Sequence, residues 1–240
     1  MEVAGKHAIV TGSAVGVGRA TALELARRGA NVVVNYSRSE AEAKETVAQV
    51  EALGVRALLV RADVSQDAEV RAMVGRAVDA FGSVDVLVNN AATTAFVHSA
   101  DLEGMKEEDW DRLLAVNLKG PFFCSRAVAG PMKKAGQGAI VNVASIAGIR
   151  AIGSSIAYAA SKAGLINMTV ALARVLAPEV RVNCVAPGFI DTRWLREGLG
   201  EAYEPARQRA SQQTPLGRVA SPEDVAQVIV SLIAGADFVT

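Results

Sequence analysis

Cysteine is nearly absent from this 240-residue chain: Cys124 and Cys184 are the only two, and neither belongs to a C-x-x-C pair. That excludes a disulfide scaffold or a zinc site and leaves buried thiols as the reading. Histidine is equally scarce, and His7 and His98 stand isolated, which fits packed or solvated side chains rather than metal ligands. Neither sign of charge is in excess, with 25 basic against 25 acidic residues. There is accordingly no electrostatic footprint for nucleic acid or an anionic membrane. No uncharged apolar run approaches the roughly 20 residues that span a bilayer, and the opening MEVAGKHAIV lacks the basic leader and apolar stretch of a signal peptide. The expectation is a cytoplasmic protein. Repeats, low-complexity tracts and Pro/Gly-rich linkers are also missing, which argues for a single domain over residues 1–240.

What is present is alternation. HAIV, NVVVNY, VRALLVRA, VDVLVNN, GAIVNVAS and VRVNCVAP are short, β-branched, apolar runs that read as strands. Between them, GRATALELARRG, SEAEAKETVAQVEALG, DAEVRAMVGRAVDAFG, EDWDRLLAVNLKGPFFCSRAV and SIAYAASKAGLINMTVALARVLA carry apolar residues at three- and four-residue intervals and read as helices. Strands apolar on nearly every residue are covered on both faces, and crossover helices do the covering. The predicted fold is a doubly wound parallel sheet, α/β/α in three layers. One stretch breaks the rhythm: residues 188–221 are polar and loosely helical after a strand, an excursion long enough to suggest a lid over a site.

The first strand runs directly into TGSAVGVG, with Gly12, Gly16 and Gly18 spaced G-x-x-x-G-x-G and Ser13 and Val17 among them. Glycines there allow a tight turn and close backbone approach, and the helix that follows offers unpaired N–H groups to a pyrophosphate. About 20 residues on, where an acidic side chain would bind a ribose 2′-hydroxyl and an arginine would suit a 2′-phosphate, the sequence reads Tyr36, Ser37, Arg38. NADP(H) is therefore the expected cofactor, with NAD(H) possible should Glu40 take the ribose. Asp63 and Val64 after the third strand, and Asn89, Asn90, Ala91 and Ala92 after the fourth, fall on the same carboxyl edge of the sheet, where ligands of open parallel sheets bind.

At the other end of that edge, Ser145 closes the fifth strand and Tyr158 follows thirteen positions on, in YAASK. Tyr158 and Lys162 are four apart, so one helical face carries a phenol and an ammonium. The phenol has an ordinary pKa of about 10, and a cation within several Å favours its ionised form. TGSAVGVG, NNAA, Asn117, Ser145, YAASK and VAPGFIDT, in this order, resemble the classical short-chain dehydrogenases/reductases over essentially the whole chain.

The resemblance implies an NAD(P)-dependent oxidoreductase that interconverts a ketone and a secondary alcohol. It assigns a tetrad: Tyr158 as proton donor, Lys162 as the cation that tunes it and binds the nicotinamide ribose, Ser145 as donor to the carbonyl oxygen, and Asn117 holding a proton relay through its backbone in an irregular helix. Pro187 and Gly188 would border the nicotinamide, and Ile190 and Thr192 would contact its carboxamide. Trp194, Leu195, Leu199 and Tyr203 would give the lid an apolar lining, against substrate or against its own helices. A homotetramer built through the helices of Asn117 and Tyr158 is implied as well. Ala92 departs from the family's N-N-A-G, and the sequence ends at Thr240 where members continue into a seventh strand, so a shortened chain is expected.

Among branches of the family, 3-oxoacyl-(acyl-carrier-protein) reductases are the most similar in pattern. They place basic residues where this chain has Gly136, Gln137, Pro178 and Glu179, although Lys133 and Lys134 lie close by. The expectation is thus a general carbonyl reductase acting on a small-molecule carbonyl or alcohol. The carrier-protein activity is the runner-up, sugar or polyol dehydrogenation a further alternative, and a non-catalytic NADPH sensor a remote one, since all four tetrad residues are present.

Overall fold

The computed structural model describes residues 1–240. Six strands, β1 His7–Val10, β2 Asn31–Tyr36, β3 Ala57–Arg61, β4 Val86–Asn89, β5 Gly138–Val143 and β6 Val180–Val185, form one sheet in the order β3-β2-β1-β4-β5-β6. Every neighbouring pair is parallel. The order reverses between β1 and β4, and the crevice at that switch point is where this topology binds ligands.

The helices are α1 Gly16–Arg27, α2 Glu40–Glu51, α3 Asp67–Phe81, α4 Glu107–Leu114, α5 Gly120–Ala135, α6 Ala147–Arg150, α7 Ile156–Leu176, α8 Arg193–Leu199, α9 Tyr203–Gln213 and α10 Pro222–Ala234. Side chains of a strand alternate between faces, and the core divides accordingly. Ala8, Val10, Val32, Val34, Val86, Val88, Ala139 and Val141 join α1, α2 and α10 in one cluster. Ile9, Val33, Leu87, Ile140 and Val182 join α3, α5 and α7 in the other. This is the three-layer architecture that the uniformly apolar strands predict.

Sequence periodicity reads as one helix through Asn117, the family resemblance implies an irregularity there, and the structure has one. A π-helical turn, Ala115–Lys119, joins α4 to α5, with the Gly120 amide donating to the Ala115 carbonyl five residues back. Pro121, four residues after Asn117, has no N–H to return to the Asn117 carbonyl, so the regular pattern cannot continue there. Gly120 also lies against Val64, where a Cβ would come within 2.9 Å of the valine side chain.

The polar excursion after β6 is ordered into α8, a 3-10 turn Gly200–Ala202, and α9. Thr192 caps α8 by accepting from the Leu195 amide at 3.4 Å. Two helices lie outside the sequence expectation, α6 and α10. The second has a legible signature: Ser221 and Asp224 form a reciprocal capping box with Pro222 between them, ahead of the periodic Val225, Ile229, Val230 and Ile233. Since α10 packs against α1, the helix that follows the glycine loop, Ser221→Ala should lower unfolding free energy by about 1 kcal/mol in urea titration, and an unchanged midpoint would contradict the role of the cap.

Candidate functional site

The glycine loop is built by close approach. Gly12 and Gly16 sit at φ +62° and +58°, which only glycine adopts without strain. Gly18 is held by contact instead: a Cβ there would stand 2.4 Å from the Gly12 carbonyl oxygen and 2.5 Å from the Asn90 amide. Two asparagines that the sequence does not single out for this purpose fix the loop. Asn35 accepts from the Gly12 amide at 3.0 Å, and its own side-chain amide donates to the carbonyls of Val60 and Ala62. Asn90 donates to the carbonyls of Thr11 and Gly12 at 3.0 and 3.1 Å, and the Thr11 hydroxyl accepts from the amides of Asn90 and Ala91. The ends of β1 to β4 are thereby locked around one loop. Ser13 is buried, donating to the Val10 carbonyl and accepting from the Asn35 amide.

The first turn of α1 has neither a side-chain cap nor an acidic residue. Its N–H groups have no side-chain acceptor, and the cradle beside Gly16 is filled only by the Thr192 methyl at 3.9 Å from a hypothetical Cβ. Those features fit a pyrophosphate. Along the edge, Tyr36 is buried while Ser37 and Arg38 are exposed. Arg38 enters no ion pair, whereas Glu40 is engaged by Lys44 at 2.8 Å. Asp63 accepts from the Ser65 amide, Val64 is buried beside Gly120, and Ala92 is exposed.

At the chemical end, Tyr158 and Lys162 do share a face of α7. The Lys162 Nζ lies 5.7 Å from the centre of the Tyr158 ring and donates to the Val143 carbonyl at 2.8 Å. It is buried, and desolvation pulls the amine down to about 8, opposed by the neighbouring Cys184. Burial pushes the Tyr158 phenol up, and the Ser145 hydroxyl pulls the other way. The net direction on the phenol is upward, the reverse of the sequence expectation, because desolvation outweighs the Ser145 hydroxyl. Ser145 is held by the Ala147 amide at 3.1 Å. Gly148 lets α6 press onto α7 here, since a Cβ would come within 2.6 Å of Lys162 and Ala163 backbone atoms.

Asn117 is buried, and its side chain is saturated. It accepts from the Thr93 amide at 2.8 Å and donates to the Thr93 carbonyl at 2.9 Å and the Ser161 hydroxyl at 3.0 Å. Ser161 donates to the Tyr158 carbonyl at 2.7 Å. The side chain therefore ties the loop after β4 to the helix of the tyrosine, and only its backbone is left for a relay.

Pro187 anchors the segment below Ser145, its carbonyl accepting from Ile146 at 3.0 Å; Gly188 is exposed. Ile190 bridges to Ala220. Of the lid aromatics, Trp194 meets Tyr158 edge-on with 6.3 Å between centroids. Tyr203 packs on the lid itself, against Phe189 and hydrogen-bonded to Asp191 at 2.6 Å.

A doubly wound sheet with a glycine loop at its switch point, and a buried Tyr-Lys pair beside a serine on the same edge, defines a Rossmann-type protein equipped for redox chemistry on a dinucleotide. The family model for short chain dehydrogenase matches residues 6–200. The chain belongs to that family, and it is an oxidoreductase of the short-chain type. It is 42% identical over 226 residues to "Granaticin polyketide synthase putative ketoacyl reductase 2" of Streptomyces violaceoruber, covering 94% of this chain and 88% of that one. It is also 42% identical over 233 residues to 3-oxoacyl-(acyl-carrier-protein) reductase FabG of Thermotoga maritima, covering 97% and 92%. The solved structure of a "putative short-chain dehydrogenase/reductase from Burkholderia xenovorans" superposes with a TM-score of 0.91 at 32% identity, over 98% of this chain and 93% of that chain.

The buried amine has a thermodynamic signature. With a folded value near 8 and an unfolded value of about 10.4, the unfolded chain holds the extra proton between those limits, so stability contributed through Lys162 rises with pH there. The stability of the wild type relative to Lys162→Met should therefore increase by about 2 kcal/mol from pH 7 to pH 9.5. Urea titrations of both proteins at the two pH values measure it, and a constant difference would contradict the assignment.

Proposed function

We propose that the protein is a ketoacyl reductase, reducing the ketone of a 3-oxoacyl compound to a secondary alcohol with NADP(H). The observation that carries this is the buried Tyr158–Lys162 pair lying beside Ser145 at the carboxyl edge of the sheet. The named relatives support the oxoacyl class over the general carbonyl reductase that the basic-residue pattern favours. That pattern stands nonetheless: Lys133 is occupied by the Val175 carbonyl at 3.0 Å.

When bound, the reduced nicotinamide supplies the hydride. Everything else falls to the chain. Gly12, Ser13, Gly16, Val17 and Gly18 would hold the pyrophosphate, with Asp63, Val64, Asn90 and Ala91 lining the adenosine side and Pro187, Gly188, Ile190 and Thr192 the nicotinamide side. Ser145 donates to the carbonyl oxygen and strengthens that bond as negative charge develops. Tyr158 gives its proton to the same oxygen; the upward push on its pKa keeps it protonated at neutral pH, as a donor must be. Lys162 stabilises the phenolate left behind, and Asn117 holds the helix geometry that keeps the three together.

The NADP(H) preference rests on the end of β2. Tyr36 and Ser37 offer no carboxylate to a 2′-hydroxyl, Arg38 is exposed and free of ion pairs, and the nearby Glu40 is committed to Lys44. A homotetramer fits the exposed apolar residues on α5 and α7, Phe122, Val170 and Val175.

Tyr158→Phe should abolish NADPH oxidation with an acetoacetyl thioester, by about 100-fold or more, while NADPH affinity by fluorescence titration stays within about twofold; comparable turnover would refute the proton donor. Arg38→Ala should raise the Kd for NADPH by about tenfold and leave NADH nearly unchanged, and equal losses on both would refute the NADP(H) preference.

A further inference from the structure

Trp194 and Gly198 lie four residues apart on α8 and share a face. The Trp194 ring stands edge-on to Tyr158, 6.3 Å between centroids. At Gly198 the Phe96 ring packs so closely that a Cβ would come within 2.0 Å of it. The absent side chain thus admits Phe96 to the same helix face as Trp194. The segment bearing Phe96 is tied to the residues that precede Tyr158: the Val97 amide donates to the Ser154 carbonyl at 2.9 Å, and the hydroxyls of Thr94 and Ser154 are bonded at 2.5 Å. Ile152 stands in that second segment, next to Gly153, whose hypothetical Cβ would be 3.6 Å from the Tyr158 ring.

Three separate segments therefore converge on the Tyr158 side of the lid, Trp194 by direct ring contact, Phe96 through Gly198 of the same helix, and Ile152 as the neighbour of Gly153, at 42%, 39% and 46% exposure. Single exposed apolar residues are ordinary, but a convergent set marks a binding surface. The two arginines of α8 do not offset it, since Arg193 is paired with Glu42 at 3.0 Å and Arg196 with Asp191 at 2.7 Å.

We infer that this wall seats the group flanking the ketone, so that the site selects 3-oxoacyl compounds bearing a flat aromatic or bulky apolar body over compact ones, and over polyhydroxylated ketones. The inference rests on the reductase reading, which puts the carbonyl oxygen at Ser145 and Tyr158. An aromatic flank gains ring contact with Trp194, whereas sugar hydroxyls would lose water against the same wall without finding partners. Trp194 and Phe96 are specificity residues here, distinct from the proton-transfer group.

The test compares kcat/KM with NADPH for ethyl benzoylacetate, an aryl 3-oxoacyl ester, with the values for methyl acetoacetate and dihydroxyacetone. The wild type should favour ethyl benzoylacetate over each of the others by about tenfold or more, and the ethyl benzoylacetate to methyl acetoacetate ratio should fall by about fivefold or more in Trp194→Ala and in Phe96→Ala. A second readout is free of turnover: in Trp110→Phe, where Trp194 is the remaining tryptophan, ethyl benzoylacetate should quench the fluorescence saturably in the presence of NADP+. Quenching with no ketone turned over would uphold the aromatic wall and overturn the reductase reading. Turnover without an aryl preference, or a preference that survives both substitutions, would overturn the inference and leave the reductase reading standing.

Discussion

A buried lysine amine is the constraint on which this site depends. Lys162 reaches the Val143 carbonyl at the end of β5 from the second turn of α7, and its stem runs past the Tyr158 ring. Removing an ammonium from water disfavours its charge, which is why the amine falls to about 8. A phenol in the same dry place is disfavoured as a phenolate. The two penalties have opposite signs for proton ownership: one makes the amine give up its proton more readily, the other makes the phenol hold its proton more tightly. A group that must donate a proton and then take one back benefits from such a neighbour, because the phenolate and the ammonium stabilise each other once both are charged.

That arrangement is held by unusually tight backbone contacts. Gly148 lets α6 sit on the Lys162 backbone, Gly120 lets the π-helical turn sit on Val64, and Gly18 lets α1 sit on Gly12 and Asn90. Asparagines then connect the pieces: Asn35 links β1 to β2 and β3, Asn90 links β4 to the glycine loop, and Asn117 links the loop after β4 to α7. A further buried pair, Asn89 donating to Asn142 at 2.8 Å and Asn142 to Thr169 at 2.9 Å, fastens β4 to β5 and β5 to α7. Each amide satisfies backbone or side-chain groups that strand ends would otherwise leave unpaired, so the carboxyl edge of the sheet is rigid where chemistry needs it.

Much of this was legible beforehand. The six strands and the doubly wound topology follow from apolar runs that no half-exposed strand would carry, and the i, i+4 spacing of Tyr158 and Lys162 places them together without any structure. The clamping asparagines were not legible as such: Asn35 reads as an absence of charge, and nothing in a linear pattern says that its amide turns back toward Gly12. The irregular turn at Asn117 is implied by the family resemblance, and Pro121 following Asn117 by four is its trace in the sequence. The direction of the phenol's pKa is not legible in the sequence, because spacing reports which groups are near and is silent on how deeply they are buried. Likewise Gly198, an unremarked glycine in a polar stretch, gains meaning only when the Phe96 ring is found lying on it.

The most direct measurement of the central claim is a titration of Lys162 itself, by NMR of lysine labelled at the carbon next to the amine, with Lys162→Met identifying the resonance. The account predicts a midpoint near pH 8, displaced in Tyr158→Phe. A midpoint at the ordinary lysine value of about 10.4 would mean that the amine is solvated, and would contradict the account.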